Sequence, residues 1–148
     1  MKFGNLTTLN GKIDIEELVQ ATNLLLIYFS EHNTPLCSKQ LLSFKEEFET
    51  IHKYDIITYA VSTDSIQDIT IFAKTLNDLP FEIASDEDGL IAKQLNVYNY
   101  EQKKANRSIF ILNKQCEIIY SNLYYQPENI DEFFNVFEYI SKNIKLRQ

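Results

Sequence analysis

The chain has 148 residues, of which 45% are hydrophobic, and its net charge is −7. This length suits a single domain over residues 1–148, and the hydrophobic content excludes a disordered chain. Because an acidic protein repels phosphate backbones and anionic lipid heads, we expect neither a nucleic acid nor a membrane as a partner. The sequence also lacks an apolar run near the roughly 20 residues that a membrane-spanning helix requires.

The N-terminus and the cysteines indicate a compartment. Residues 1–5 become polar too early for a secretory signal peptide, so we expect a cytoplasmic protein whose thiols stay reduced. The two cysteines, Cys37 and Cys116, lie far apart in the sequence. Distance and compartment together argue against a structural disulfide, so each cysteine needs its own explanation.

Strands and helices alternate along the first half of the chain. Residues 24–29 and 56–61 form apolar runs that predict strands buried on both faces of a sheet. Between them, Thr34 and Pro35 indicate the start of a helix, because a hydroxyl caps the first turn and proline fits its first position. The apolar residues that follow recur at helical spacing: Cys37, Leu41, Phe44, Phe48 and Ile51.

The second half continues this alternation and ends in a hairpin and a helix. The pattern predicts a helix over 66–76, a short strand at 81–83, a turn at 86–89, and paired strands at 108–112 and 117–120. A terminal helix follows, with one apolar face: Ile130, Phe133, Phe137, Ile140 and Ile144. Early βαβ units imply parallel strands and the hairpin adds an antiparallel pair. The sequence therefore predicts an α/β fold with a mixed sheet and helices on both faces.

Cys37 stands at the first turn of a predicted helix, directly after a strand and a short loop. The free N–H groups and the helix dipole at such a position stabilise a thiolate. The hydroxyl of Thr34 can donate to that thiolate, or to a peroxide oxygen in front of it. The alternative is that Cys37 is a small buried hydrophobe, and its position alone does not separate the two interpretations.

Four segments follow one another in a recognisable order. They are Thr-Pro-Leu-Cys at 34–37, Val-Ser-Thr-Asp at 61–64, the acidic turn at 85–89, and the strand at 106–112, which opens with Asn-Arg. In order and spacing they resemble the peroxiredoxin (alkyl hydroperoxide reductase/thiol-specific antioxidant) family, most closely its bacterioferritin-comigratory-protein branch. The likeness extends from about Leu24 to the terminal helix.

The resemblance implies a thioredoxin-like three-layer sandwich that reduces hydrogen peroxide or small organic hydroperoxides. Cys37 would be the nucleophile that becomes a sulfenic acid, and Thr34 would orient the peroxide. Arg107 would hold the thiolate and the charge that develops on the peroxide oxygens. A peroxide is then the substrate, an external thiol such as thioredoxin is the reductant, and we expect a monomer or homodimer. The sequence shows no cofactor motif and no metal-ligand spacing.

Four positions depart from the family pattern. Ser30 stands where the family has a proline seven residues before the cysteine, and Leu36 replaces the glycine directly before it. Leu42 occupies the usual position of a resolving cysteine, and Cys116 lies in a predicted hairpin turn where the family commonly has glycine. Because a disulfide limits the Cα separation to about 7 Å, we expect a one-cysteine mechanism without Cys116.

Three other functions compete with this interpretation. A thioredoxin-type disulfide reductase is disfavoured, because Thr34 stands where that chemistry needs a second cysteine. A cysteine–histidine hydrolase would use His32 as its base, but nothing in the sequence marks a group that orients it. A non-catalytic or redox-sensing binding module on the same scaffold stays open, because Ser30 and Leu36 alter the motif.

Overall fold

The computed structural model describes residues 3–30, 34–77 and 79–148. Within these ranges, strands alternate with helices as the sequence predicts. The elements are β1 (Asn5–Thr8), β2 (Gly11–Asp14), α1 (Ile15–Val19), β3 (Asn23–Tyr28), α2 (Pro35–Glu46), α3 (Phe48–His52), β4 (Ile56–Ser62), α4 (Ile66–Thr75), β5 (Glu82–Ser85), α5 (Leu90–Gln94), β6 (Tyr98–Asn99), β7 (Lys104–Ala105), β8 (Ser108–Leu112), β9 (Ile118–Asn122) and α6 (Ile130–Asn143).

Seven of the strands form one mixed sheet in the order β2-β1-β5-β4-β3-β8-β9. The three central strands, β3, β4 and β5, run parallel, as their helical crossovers require. β8 joins β3 antiparallel, with Ser108 opposite Tyr28, and β9 completes a hairpin with β8. The predicted mixed sheet is therefore confirmed, including the late hairpin.

Each face of the sheet packs against helices through its own hydrophobic core. Along β3, Leu25 and Ile27 point into a first core, whereas Leu24 and Leu26 point into a second. The first core contains buried residues of α2, α3, α4 and α6, and the second contains buried residues of α1 and α5. Helices thus cover both faces, as expected for a three-layer sandwich.

The N-terminal hairpin was not predicted. β1 and β2 pair from Asn5 opposite Asp14 to Thr8 opposite Gly11, and β1 extends the sheet beside β5. Each strand has only four residues, too few for a clear alternation of apolar and polar side chains. The signal that could have found it is Asn10-Gly11, since glycine readily adopts the φ of +116° that this turn requires.

The helix after β3 is shorter than its apolar pattern predicts. α2 ends at Glu46 and α3 begins at Phe48, because Glu47 leaves helical geometry with φ −104° and ψ 13°. Leu41 and Ile51 still pack into the same first core. The pattern therefore identified the buried residues correctly but not the break between them.

No helix within the described ranges is both long enough and apolar enough to cross a bilayer.

Candidate active site

Thr34 caps α2 in the geometry that its sequence predicts. Its Oγ1 accepts a hydrogen bond from the backbone N–H of Cys37 at 3.2 Å, and its carbonyl oxygen accepts one from the N–H of Ser38 at 2.9 Å. Pro35 follows as the first helical residue. The hydroxyl proton of Thr34 donates to no group in the described part of the chain, so it is available to a ligand.

Cys37 is completely buried at the start of α2. Its side chain has 0% exposure and belongs to the first core together with Phe29 and Leu41. Both sequence-based interpretations therefore describe part of what is observed, since the residue is buried and also stands at a helix N-terminus. A thiolate formed here would be stabilised by fixed N–H dipoles rather than by water.

Arg107 lies on the same face of the sheet as Cys37. Ile109 and Ile111 of β8 belong to the first core, while the residues between and after them belong to the second. Side chains alternate between the two faces along a strand. Arg107 lies two residues before Ile109, so its side chain is on the same face as that of Ile109. This is the core to which Cys37 belongs.

Arg107 and Cys37 also share one end of the sheet. Ser108, next to Arg107, pairs with Tyr28, the last residue of β3, and the chain continues from there to α2. The Nε of Arg107 is buried and has no hydrogen-bond partner. Within the described residues no hydrogen bond joins its guanidinium to the Cys37 thiol, so what the two groups share is this end of the sheet.

A small polar cavity opens beside Arg107. Its volume is about 210 Å³, and each residue that lines it carries a hydrogen-bonding side chain. The lining residues are Ser30, Gln102, Lys104, Asn106, Arg107, Tyr124, Tyr125 and Gln126. Cys37 and Thr34 are not among them. The structure therefore separates the predicted site into a buried cysteine at the helix start and an arginine on a polar cavity at the same end of the sheet.

Gln40 fixes the start of α2 to the end of β3. Its side chain is 0% exposed, and its Nε2 donates to the carbonyl oxygen of Tyr28 at 3.0 Å. Its Oε1 is buried without a partner. Sequence analysis missed Gln40, although a signal was present, because a polar residue three positions after Cys37 interrupts an otherwise apolar helix face.

Tyr125 connects the cavity to the first core. Its backbone N–H donates to the carbonyl oxygen of Arg107 at 2.8 Å, and its ring lies 6.1 Å from that of Phe44 on α2. Burial, with contributions from Glu132 and Tyr120, raises the pKa of the Tyr125 phenol. The phenol is therefore a neutral hydrogen-bonding group at physiological pH. It comes from a loop whose sequence carried no recognisable signal.

The acidic turn noted in the sequence supports the opposite face of β3. Asp86 is buried, and its Oδ2 accepts hydrogen bonds from the Tyr28 hydroxyl at 3.1 Å and from the Ala92 N–H at 2.8 Å. Its Oδ1 accepts a bond from the N–H of Ile91 at 3.2 Å. Burial raises the pKa of Asp86, although these three bonds act in the other direction. The carboxylate thus joins β3 to the start of α5.

Cys116 lies on the other side of the molecule from Cys37. It occupies the turn between β8 and β9, as predicted, and packs against the second core. The turn follows Leu112, which pairs with Leu24 at the far end of β3. The two cysteines are therefore on opposite faces and at opposite ends of a six-residue strand, roughly 20 Å long at about 3.3 Å per residue. Both thiols are free.

His32, the base of the hydrolase alternative, lies outside the described residues. Among the residues described, no group of three or more His, Cys, Asp or Glu side chains is arranged to hold a metal ion.

Comparison with known proteins decides the family. The sequence model of the AhpC/TSA family matches residues 2–121. The chain belongs to this family, the peroxiredoxins. It is 29% identical over 134 residues to peroxiredoxin 2 of Sulfurisphaera tokodaii, which covers 84% of this chain and 63% of that protein. It is 27% identical over 112 residues to the chloroplastic peroxiredoxin Q of Sedum lineare, which covers 74% and 60%.

Solved peroxiredoxin structures share its fold. Peroxidoxin BcpB from Mycobacterium tuberculosis superimposes with a TM-score of 0.83 at 16% identity, over 97% of this chain and 98% of that one. The bacterioferritin comigratory protein of Xanthomonas campestris gives 0.79 at 17% identity, over 95% and 91%. These matches confirm the thioredoxin-like peroxiredoxin fold and include the branch that the sequence motifs indicate. The chain spans 58% to 63% of the length of the first four curated relatives.

Proposed function

We propose that this peroxiredoxin is a thiol-dependent peroxidase that reduces hydrogen peroxide or small organic hydroperoxides through Cys37. The observation that carries the proposal is the placement of Cys37 at the N-terminus of α2, with Arg107 on the same face and at the same end of the sheet. Membership of the AhpC/TSA family supports it, as do relatives named peroxiredoxins.

The groups at this end of the sheet match the charges of peroxide reduction. The Cys37 thiolate attacks one peroxide oxygen, so that an S–O bond forms while the O–O bond breaks. Sulfur is oxidised to a sulfenic acid, and the other oxygen leaves as hydroxide or alkoxide and takes up a proton. The free hydroxyl proton of Thr34 orients the peroxide, and the Arg107 guanidinium stabilises the charge on the leaving oxygen. The unpartnered Nε of Arg107 supports this role, because a buried donor without a partner is unfavourable until a ligand supplies one.

Return to the thiol requires an external reductant. A thiol condenses with the sulfenic acid, releasing water and leaving a mixed disulfide, which a second thiol exchanges to regenerate Cys37. Cys116 does not serve as this partner, because it lies across the sheet at the far end of β3, well beyond the Cα separation of about 7 Å that a disulfide spans. A small protein dithiol such as thioredoxin fits the requirement, and the enzyme works as a monomer or homodimer in the cytoplasm.

Peroxide consumption by the purified protein with dithiothreitol tests the proposal. We expect turnover by the wild type, none by Cys37→Ser, and turnover close to wild type by the matched variant Cys116→Ser. After one equivalent of peroxide without reductant, dimedone should label Cys37 and no Cys37–Cys116 disulfide should be found. A folded protein that consumes no peroxide and yields no adduct would instead support the non-catalytic binding module.

A further inference from the structure

The polar cavity at the end of β3 is lined in part by Ser30, whose hydroxyl has no role assigned so far. Ser30 lies two residues beyond the end of β3 and is 9% exposed. Its hydroxyl makes no hydrogen bond to any other residue that the structure describes, although Ser30 lines the cavity together with Arg107. Because the side chain lines the cavity and no described protein group bonds its hydroxyl, the hydroxyl is open to a ligand or water there. This hydroxyl is therefore positioned to bind what enters the cavity.

The cavity and the start of α2 lie at the same end of the sheet. Tyr28, two residues before Ser30, is bonded through its carbonyl oxygen to Gln40, three residues after Cys37. This bond holds the start of α2 against the end of β3. Arg107 brings its guanidinium to the same end from β8. A molecule in the cavity thus meets the arginine at the end of the sheet from which the chain continues to α2.

The size and lining of the cavity favour a small, polar molecule. Its volume is about 210 Å³, and every lining residue carries a polar group at the end of its side chain. Hydrogen peroxide can donate and accept at both oxygens, so it can satisfy several of these groups at once. A bulky apolar substituent would instead bury polar groups without partners, and sites of this kind reject apolar analogues more strongly than apolar pockets reject polar ones.

We propose that Ser30 is a specificity-determining residue whose hydroxyl hydrogen-bonds the peroxide and favours hydrogen peroxide over hydroperoxides with bulky apolar groups. This inference rests on the proposed peroxidase function. Arg107 cannot supply the same selectivity alone, because it contacts the peroxide oxygens that all hydroperoxides share. The hydroxyl of Ser30 adds a hydrogen bond to the second O–H group of hydrogen peroxide. A bulky alkyl or aryl group in its place cannot form that bond.

Rates of Cys37 oxidation by hydrogen peroxide and by cumene hydroperoxide, measured by stopped flow, test the inference. For the wild type we expect the second-order rate constant for hydrogen peroxide to be the larger by at least about tenfold. Ser30→Ala should lower that constant about 3- to 10-fold, as the loss of one neutral hydrogen bond predicts, and should change the cumene hydroperoxide constant much less. Ser30→Thr, which keeps a hydroxyl, should restore the ratio toward wild type. Ser141→Ala, on the exposed face of α6, is the matched control and should leave both constants unchanged.

The outcomes separate the two proposals. If Cys37 is oxidised by both peroxides but their ratio is the same in wild type and Ser30→Ala, the role of Ser30 is refuted while the peroxidase function stands. A wild type that reacts faster with cumene hydroperoxide refutes it equally. If neither peroxide oxidises Cys37 in the folded protein, the peroxidase function fails, and the role of Ser30 fails with it.

Discussion

The backbone N–H of Tyr125 donates to the carbonyl oxygen of Arg107 at 2.8 Å, and this bond fastens the loop after β9 to the residue immediately before β8. The Tyr125 ring in turn packs near Phe44 of α2, the helix that begins beside Cys37. The arginine and the cysteine thus belong to one connected unit, although no hydrogen bond joins them in the described residues. The position of the guanidinium is set by β8 and by this loop together.

Replacing Arg107 by lysine should slow oxidation of Cys37 by peroxide. Lysine keeps the charge but lacks the planar fork of donors that can contact sulfur and peroxide oxygen together. Loss of one charge-assisted hydrogen bond, worth about 1.5–3 kcal/mol, corresponds to a rate about 10- to 150-fold lower. Stopped-flow oxidation of folded proteins measures this. The matched control is Arg147→Lys, because Arg147 bonds the carbonyl oxygen of Ile56 at the opposite end of β4. Equal rates for wild type and Arg107→Lys would remove Arg107 from the mechanism.

The Cys116→Gly protein should be more stable than the Cys116→Ala protein. Cys116 has φ +60°, a left-handed conformation that glycine adopts freely and that costs other residues roughly 1–2 kcal/mol. Both substitutions remove the same contacts of the thiol with the second core, so their difference isolates the backbone term. We expect Cys116→Gly to exceed Cys116→Ala by about 1 kcal/mol in the free energy of unfolding, measured by urea denaturation. Equal stabilities would show that this turn relaxes at no cost.

Replacing Asp86 by asparagine should change how stability depends on pH. Because burial raises the pKa of Asp86 in the folded state, the folded protein holds this proton more tightly than the unfolded chain. The stabilisation that the Asp86 proton provides is therefore complete below the unfolded carboxyl pKa of about 3.9. It is lost as the pH rises through the pKa of Asp86 in the folded protein. Asp86→Asn should lack this slope. The Asp86→Asn protein should also be about 1–3 kcal/mol less stable at pH 7. The NH₂ group of asparagine would face an N–H or O–H donor where Asp86 has an accepting oxygen.

Denaturation curves collected between pH 3 and 8 provide the measurement for Asp86. Glu87→Gln is the matched control, because that side chain is exposed on the same turn. Parallel stability profiles for wild type and Asp86→Asn would contradict the assignment.

The Cys116 thiol should react slowly with alkylating agents at neutral pH. Burial, followed by the carboxylates of Glu16 and Asp14, raises its thiol pKa, and each pKa unit lowers the thiolate fraction about tenfold. In the Cys37→Ser protein, the rate of Cys116 alkylation by iodoacetamide should therefore keep rising with pH to values above the ordinary thiol pKa. Glu16→Gln should move that profile to lower pH, whereas Glu17→Gln, exposed on the same helix, should leave it in place. An unshifted profile in Glu16→Gln would exclude the electrostatic cause.

The sequence predicted the central fold well because its strands and helices have strong apolar patterns. Residues 24–29 and 108–112 have few alternatives to burial, and they became β3 and β8 nearly as expected. The start of α2 was predictable for a local reason, since Thr34 caps a turn only four residues long. The motif at 34–37 and the strand after Arg107 also indicated the family that comparison confirmed.

What could not be predicted depends on contacts between distant parts of the chain. The bond from Gln40 to Tyr28 and the packing of Tyr125 beside Arg107 exist only once the sheet has formed. Single-residue backbone geometry was also hidden, as at Glu47, where a continuous apolar face concealed a break between two helices. The roles of Cys37, Thr34 and Arg107 remain predictions, now with a defined placement for each.

The complete burial of Cys37 would make the proposed reaction a gated one. A sulfur with no exposed surface is reached by a peroxide, and all the more by a protein thiol, only in molecules whose first turn of α2 has moved. Observed rates are then the product of an opening equilibrium and an intrinsic chemical rate. The amide protons of Cys37 and Ser38, both bonded to Thr34, exchange with solvent through the same opening. If the proposed reaction is gated in this way, deuterium uptake at these two amides should rise and fall with the rate of peroxide reduction, and the strength of the Thr34 cap would set the pace of the proposed cycle.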